Sequence, residues 1–273
     1  MSVYDYVNER LLKAAKEGIV PWQKPWKSFG YGNPITTAAY SGINVMLAGL
    51  HCLDNGFKNP HFISMNQANK LGYQVNKGEG KNYCMITYFD FIPKKESPEE
   101  SYAIYKYFRL YNLEQTSVPL DMFKLPAPAV HINPFDFQYG YEGGPSVSYS
   151  GLDRAFYRRI DDSIHLPKAA QFFTEYGLKE TLFHELAHST LISTRLNRTK
   201  LSYAKEEMVA EIAATNMMFD CGIPLNFDNH GAYLKSWMKN IEDDKTFFVS
   251  AASMAEKATR YIYDRPLCKA VAV

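Results

Sequence analysis

His184-Glu185-Leu186-Ala187-His188 concentrates more reactive chemistry than any other five residues of this chain. Residues four apart share a helix face, so on a helix both imidazoles point at one zinc ion while Glu185 projects beside them. With 7 His in 273 residues, chance would place this pattern in roughly one such chain in a hundred. The chemistry it suits is metal-assisted hydrolysis, with Glu185 taking a proton from water and passing it to a leaving amine. The helix that must carry it is expected over 174–191, with Leu182, Phe183, Leu186, Ala187 and Leu191 as its apolar stripe.

A catalytic site of this kind needs a third protein ligand and an open position. The next expected helix, from an N-cap at Ser202 to Gly222, offers Glu206, Glu207 and Glu211. Glu207 follows His188 after 18 intervening residues, a spacing that resembles the gluzincin class of metallopeptidases. Glu207 and Glu211 share a face, so one assignment makes Glu207 the ligand and Glu211 the carboxylate that orients a histidine N–H. The other exchanges the two. Glu206 is expected to point to solvent.

Stepping outward along the chain, helices are expected over 3–17, 43–53 and 64–71, and strands over 83–89 and 105–113. Prolines 119, 126, 128, 134 and 145, with glycines at 140, 143 and 144, give connector composition. Two further helices are expected over 232–241 and 245–263. The fold class is therefore α+β in two domains, residues 1–125 mixed helix and sheet and residues 126–273 mainly helical.

Several blocks resemble the ArdC-type antirestriction proteins. In the back half they are Thr181 to Thr190, Arg195-Leu196-Asn197-Arg198 and Tyr203 to Glu211, preceded by Asp162 to Pro167. In the front half they are Val20 to Trp26, Tyr40 to Asn44, Asn66-Gln67-Ala68 with Lys77-Gly78-Glu79, and Tyr111 to Gln115. The chain departs from the family at Ser189-Thr190-Leu191, where a Trp-Thr-Gly usually follows the second histidine. The resemblance implies a front domain that binds single-stranded DNA and a zincin-like metallopeptidase domain behind it. It also implies a protein of mobile elements that shields incoming DNA from restriction.

Charge agrees with that division. Residues 1–130 hold 14 Lys+Arg against 11 Asp+Glu, whereas residues 131–273 hold 16 against 18. Within residues 10–81 the count is 9 against 3. Cations along a backbone and aromatic faces for stacking are what a single strand requires. The segment from Trp22 to Tyr31 interleaves them, so Trp22, Lys24, Trp26 and Lys27 are the candidate DNA contacts, with Lys70, Lys77 and Lys81 as further phosphate partners. Double-stranded DNA is a second possible partner.

Cysteines at 52, 84, 221 and 268 have no clustered spacing, which argues against a disulfide framework. No apolar run is long enough to span a bilayer. A cytoplasmic protein without a membrane partner is expected. Two other functions remain compatible with these residues. One is an intracellular zinc peptidase whose front half binds a protein substrate; the other is a DNA-binding protein whose metal is purely structural.

Overall fold

In the computed structural model, the described residues are 3–17, 31–40, 43–93, 101–124, 133–221, 223 and 231–266. Trp22, Lys24, Trp26 and Lys27 lie outside them. The described residues fall into two units, Met1–Leu11 with Ser28–Pro128, and Leu12–Lys27 with Ala129–Val273.

The first unit takes α1 (Val3–Lys16) as far as Leu11, the rest of that helix being grouped with the second, and continues with a small hairpin of β1 (Gly32–Asn33) and β2 (Ala38–Ala39), α2 (Ile43–Asn55), β3 (Phe62–Ile63), α3 (Met65–Lys70), β4 (Cys84–Pro93) and β5 (Ser101–Asn112). The larger sheet has the order β3-β5-β4 and is antiparallel throughout. Helix α2 lies against β4 and is fixed there by one side chain. Asn44 Oδ1 accepts from Thr87 N and Oγ1 at 2.8 and 3.0 Å, and its Nδ2 donates to Thr87 O at 2.8 Å. Ser64 and Gln67 close a reciprocal capping box at the start of α3.

The Tyr111 to Gln115 block is scaffolding. Glu114 Oε1 accepts from the backbone N–H groups of Lys58 and Asn59 at 2.5 and 2.6 Å. Gln115 Oε1 accepts from Asn112 N and lies 2.9 Å from Nε2 of the buried His51. Tyr31 is not a surface ring, as the sequence suggested, but a buried one packed edge-on to Phe62.

The second unit contains β6 (Ser146–Ser150), β7 (Phe156–Arg158), β8 (Ser163–Pro167), α4 (Glu175–Ser189), α5 (Tyr203–Asp220), α6 (Gly231–Asp243) and α7 (Phe247–Tyr263). Here the sequence reading needs correction. The region taken as connector and approach segment forms a three-stranded sheet, order β6-β8-β7, with β6 parallel and β7 antiparallel to β8. Strand β6 alternates serine with Val147 and Tyr149, but it is only five residues long and follows the Pro- and Gly-rich stretch ending at Pro145, so the turn signals mask the alternation.

Ile164 and Leu166 of β8 enter one core with Phe137, Leu182, Phe183, Leu186, Ala214, Met217 and Ile262. Helix α5 packs against both α4 and α7. Both helices carry small buried residues, Ala210, Ala213 and Ala214 on α5 and Ala251, Ala252, Ala255 and Ala258 on α7. Such faces let helix axes approach closely. No helix among the described residues is long and apolar enough to cross a membrane.

Candidate metal centre

Helix α4 starts where Thr174 accepts the backbone N–H of Gly177 at 3.0 Å, which satisfies a donor the helix itself leaves open. Three turns on, His184 and His188 stand one above the other, ring centroids 4.7 Å apart and planes at 80°. Their Nε2 atoms are 3.1 Å apart. From α5, Glu207 reaches both, at 3.5 Å from His184 Nε2 and 3.4 Å from His188 Nε2. Among the described residues these three form the one group whose ligand atoms converge, within 4.8 Å of one another. Ligands held at about 2.0–2.1 Å by a tetrahedral ion stand about 3.3 Å apart. The observed separations are of that size.

Each ring has a second carboxylate behind it. Glu211 Oε2 lies 3.5 Å from His184 Nδ1, and Glu206 Oε1 lies 3.4 Å from His188 Nδ1. Both imidazoles thus turn their Nε2 atoms to the common point. The position of Glu206 overturns the expectation that it faces solvent. It is buried, and Arg198 grips it through Nε–Oε2 at 3.0 Å and Nη2–Oε1 at 2.7 Å. The same guanidinium donates to Thr190 Oγ1 at 2.8 Å and Ala187 O at 3.2 Å, at the end of α4. A sequence signal for this existed: Glu206 is in helical register with Ala210, Ala213 and Met217, all buried.

Burial opposes charge on His184, but the Glu207 and Glu211 carboxylates outweigh it and raise its pKa to about 10. His188 is raised in the same way, by Glu206 and Glu207 against burial. For Glu207 and Glu206, burial pushes upward but the neighbouring cations win and hold both below the usual carboxylate range. Glu185 differs. Burial dominates and raises it, although the two imidazoles and a hydrogen bond from the Tyr157 backbone of β7 pull downward. A carboxylate kept somewhat basic beside the three converging side chains is suited to holding a proton.

The rim is tied down by a residue that chemistry-based reading missed. Arg195 Nη1 donates to Asp162 Oδ1 at 2.9 Å and Ser189 O at 2.7 Å, and Nη2 donates to Gly143 O at 2.9 Å. Tyr157 donates to Asp162 Oδ1 at 2.8 Å. Asp162 sits at φ 50°, an unusual value for a residue other than glycine.

Two helices presenting a histidine pair and a carboxylate, beside a small mixed sheet, are the marks of a zincin-like domain, and residues 143–254 match the family described as a zincin-like metallopeptidase. Residues 1–115 match the N-terminal domain of the anti-restriction factor ArdC. Together the two matches make this chain a member of the ArdC-type antirestriction proteins. The antirestriction ArdC protein of plasmid R388 is similar over 97% of this chain and 98% of its own, at 28% identity and a TM-score of 0.78, in its Mn(II)-bound crystal structure. Its metal-free form matches with a TM-score of 0.77 at the same identity, over 97% of each chain. Two Escherichia coli proteins described as DNA primase TraC are 30% identical over 95% of this chain. The chain spans only 27% and 20% of their lengths.

Proposed function

We propose that this chain is an antirestriction-type protein of a mobile element that binds single-stranded DNA through residues 1–125 and carries a gluzincin-like zinc peptidase site in residues 126–273. The observation that carries the peptidase reading is the convergence of His184 Nε2, His188 Nε2 and Glu207 at 3.1 to 3.5 Å. Two imidazole nitrogens and one carboxylate oxygen are a donor set that zinc accepts, and the Mn(II)-bound ArdC structure supports a divalent ion in this fold. Zinc held by His184, His188 and Glu207 would act as a Lewis acid and lower the pKa of a water in its open position. Glu211 orients His184. Glu185 accepts the proton from the attacking water and delivers it to the leaving amine of a protein substrate.

The DNA reading draws support from the ArdC N-terminal match and from the primase relatives. Lys70, Lys77 and Lys81 are exposed on the first unit. Trp22, Lys24, Trp26 and Lys27 are assigned the same role. Such a protein acts in the cytoplasm.

The test replaces Glu185 with Ala. The variant should hold one zinc per chain, as wild type does, and hydrolyse no peptide; hydrolysis at the wild-type rate would overturn the peptidase assignment. Retarded migration of single-stranded oligonucleotides by both proteins, with equal protection of incoming DNA in cells carrying a restriction enzyme, would assign protection to DNA binding.

A further inference from the structure

Strands β4 and β5 pair Tyr88 with Lys106 and Ile86 with Phe108. Side chains opposite each other across a ladder share a face, and so do residues two apart on one strand. Tyr88, Lys106 and Phe108 therefore stand together on one face of the ribbon, the two rings as diagonal neighbours. Ile86 and Leu110 on that face are buried, but Tyr88 is 48% and Phe108 50% exposed. The ribbon keeps two large rings half in water where shorter or polar side chains would satisfy the strands equally well.

Charge narrows what these rings would meet. The paired stretches Cys84–Tyr88 and Lys106–Leu110 hold two cations, Lys106 and Arg109, and the first carboxylate along the ladder is Asp90, two residues beyond Tyr88. Arg109 lies on the opposite face, its guanidinium 4.7 Å from the centre of the Tyr83 ring. Two half-exposed rings beside Lys106 suit a partner that is negative along its length and offers flat unsaturated faces at intervals. A duplex hides those faces in its stack; an unpaired strand presents them.

We propose that Tyr88 and Phe108 form a stacking platform for bases of single-stranded DNA, with Lys106 on the adjoining phosphate. This rests on the reading that the N-terminal unit binds single-stranded DNA, and it adds Tyr88, Lys106 and Phe108 to the candidate contacts named from the sequence. The rings supply contact with any base, so the platform is indifferent to sequence. Lys106 supplies the salt-dependent part.

The test uses the full chain and fluorescein-labelled (dT)20, followed by anisotropy. Tyr88→Ala and Phe108→Ala should each weaken binding about tenfold, and the double variant more, since stacking on one ring is worth about 5- to 150-fold. Tyr88→Phe should bind as wild type does. Lys106→Gln should reduce the slope of log affinity against log salt by about 0.7. Phe108→Trp in a chain with Trp22 and Trp26 changed to Phe gives a signal independent of the alanine variants, because a base stacked on the new indole quenches its emission. A wild-type chain that fails to bind (dT)20 overturns the DNA reading and the platform with it. Wild-type binding that the double alanine variant retains within twofold, or unquenched emission from Phe108→Trp, overturns the platform alone and leaves a protein as the ribbon's partner.

Discussion

Arg198 and Glu206 make a two-point ion pair inside the second unit, Nε to Oε2 at 3.0 Å and Nη2 to Oε1 at 2.7 Å, and both side chains are almost wholly shielded from water. The pair joins the last turn of α4 to the first turn of α5 and stands directly behind His188. Its carboxylate serves two cationic partners at once.

Removing one member of such a pair strands the other. Arg198→Met should cost about 3–5 kcal/mol of stability by leaving the Glu206 charge buried and unpaired. Adding Glu206→Gln should recover most of that loss in urea unfolding. Zinc affinity should stay about 10- to 100-fold down in the double variant, because His188 has lost its carboxylate partner. Full recovery of affinity would make the pair purely a matter of folding.

Glu207 and Glu211 should separate by size of effect. Glu207→Gln removes a ligand and should weaken zinc binding well beyond 100-fold, whereas Glu211→Gln removes an orienting partner and should cost about 10- to 100-fold. Competition titration with a chromogenic chelator measures both. The reverse order would exchange their roles.

Protons compete with the ion. His184 is raised to about 10 in the ion-free chain, and an imidazole binds metal only in its neutral form. Zinc uptake at neutral pH should therefore release protons, and affinity should climb as pH rises toward 10. The ion-free fold responds with the opposite sign. The raised imidazole contributes its full stability below about 6.5 and loses it as pH climbs to about 10. Calorimetry in buffers of different ionisation enthalpy counts the protons. Thermal melts of chelated protein from pH 6 to pH 10 should show falling Tm.

In the first unit, Asn44→Ala deletes the three hydrogen bonds that hold α2 to Thr87. A loss of about 1–3 kcal/mol is expected, since buried backbone groups on β4 lose their partner. Urea denaturation followed by circular dichroism reads it.

How much of this was legible beforehand follows from which signals are local. The helices on both sides of the site declare themselves by their ends, so Thr174 and Ser202 mark starts that the structure places within a residue. Glu206 was misread because an acidic first turn is explained equally well by the helix dipole. Its buried register with Ala210 and Ala213 is the signal that decides the matter. The sheet of β6 to β8 is hard to read locally because its strands are short and the Val147–Tyr149 alternation of β6 directly follows a stretch of glycines and prolines. Arg195 and Asp162 meet across 33 residues, and no local pattern announces such a pair.

Among the described residues, the candidate ligand Glu207 and the buried alanines Ala210, Ala213 and Ala214 share one helix, α5, which packs against the equally alanine-rich α7. A side chain enlarged at one of these buried alanines meets a packed interior, and any shift of α5 that relieves it carries Glu207 along. Screens for conditional alleles of the site should therefore return alanines rather than histidines. Histidine changes would abolish function at every temperature, while a crowded seam would hold in the cold and let go on warming. The genetics of this centre would then map to residues that never touch it.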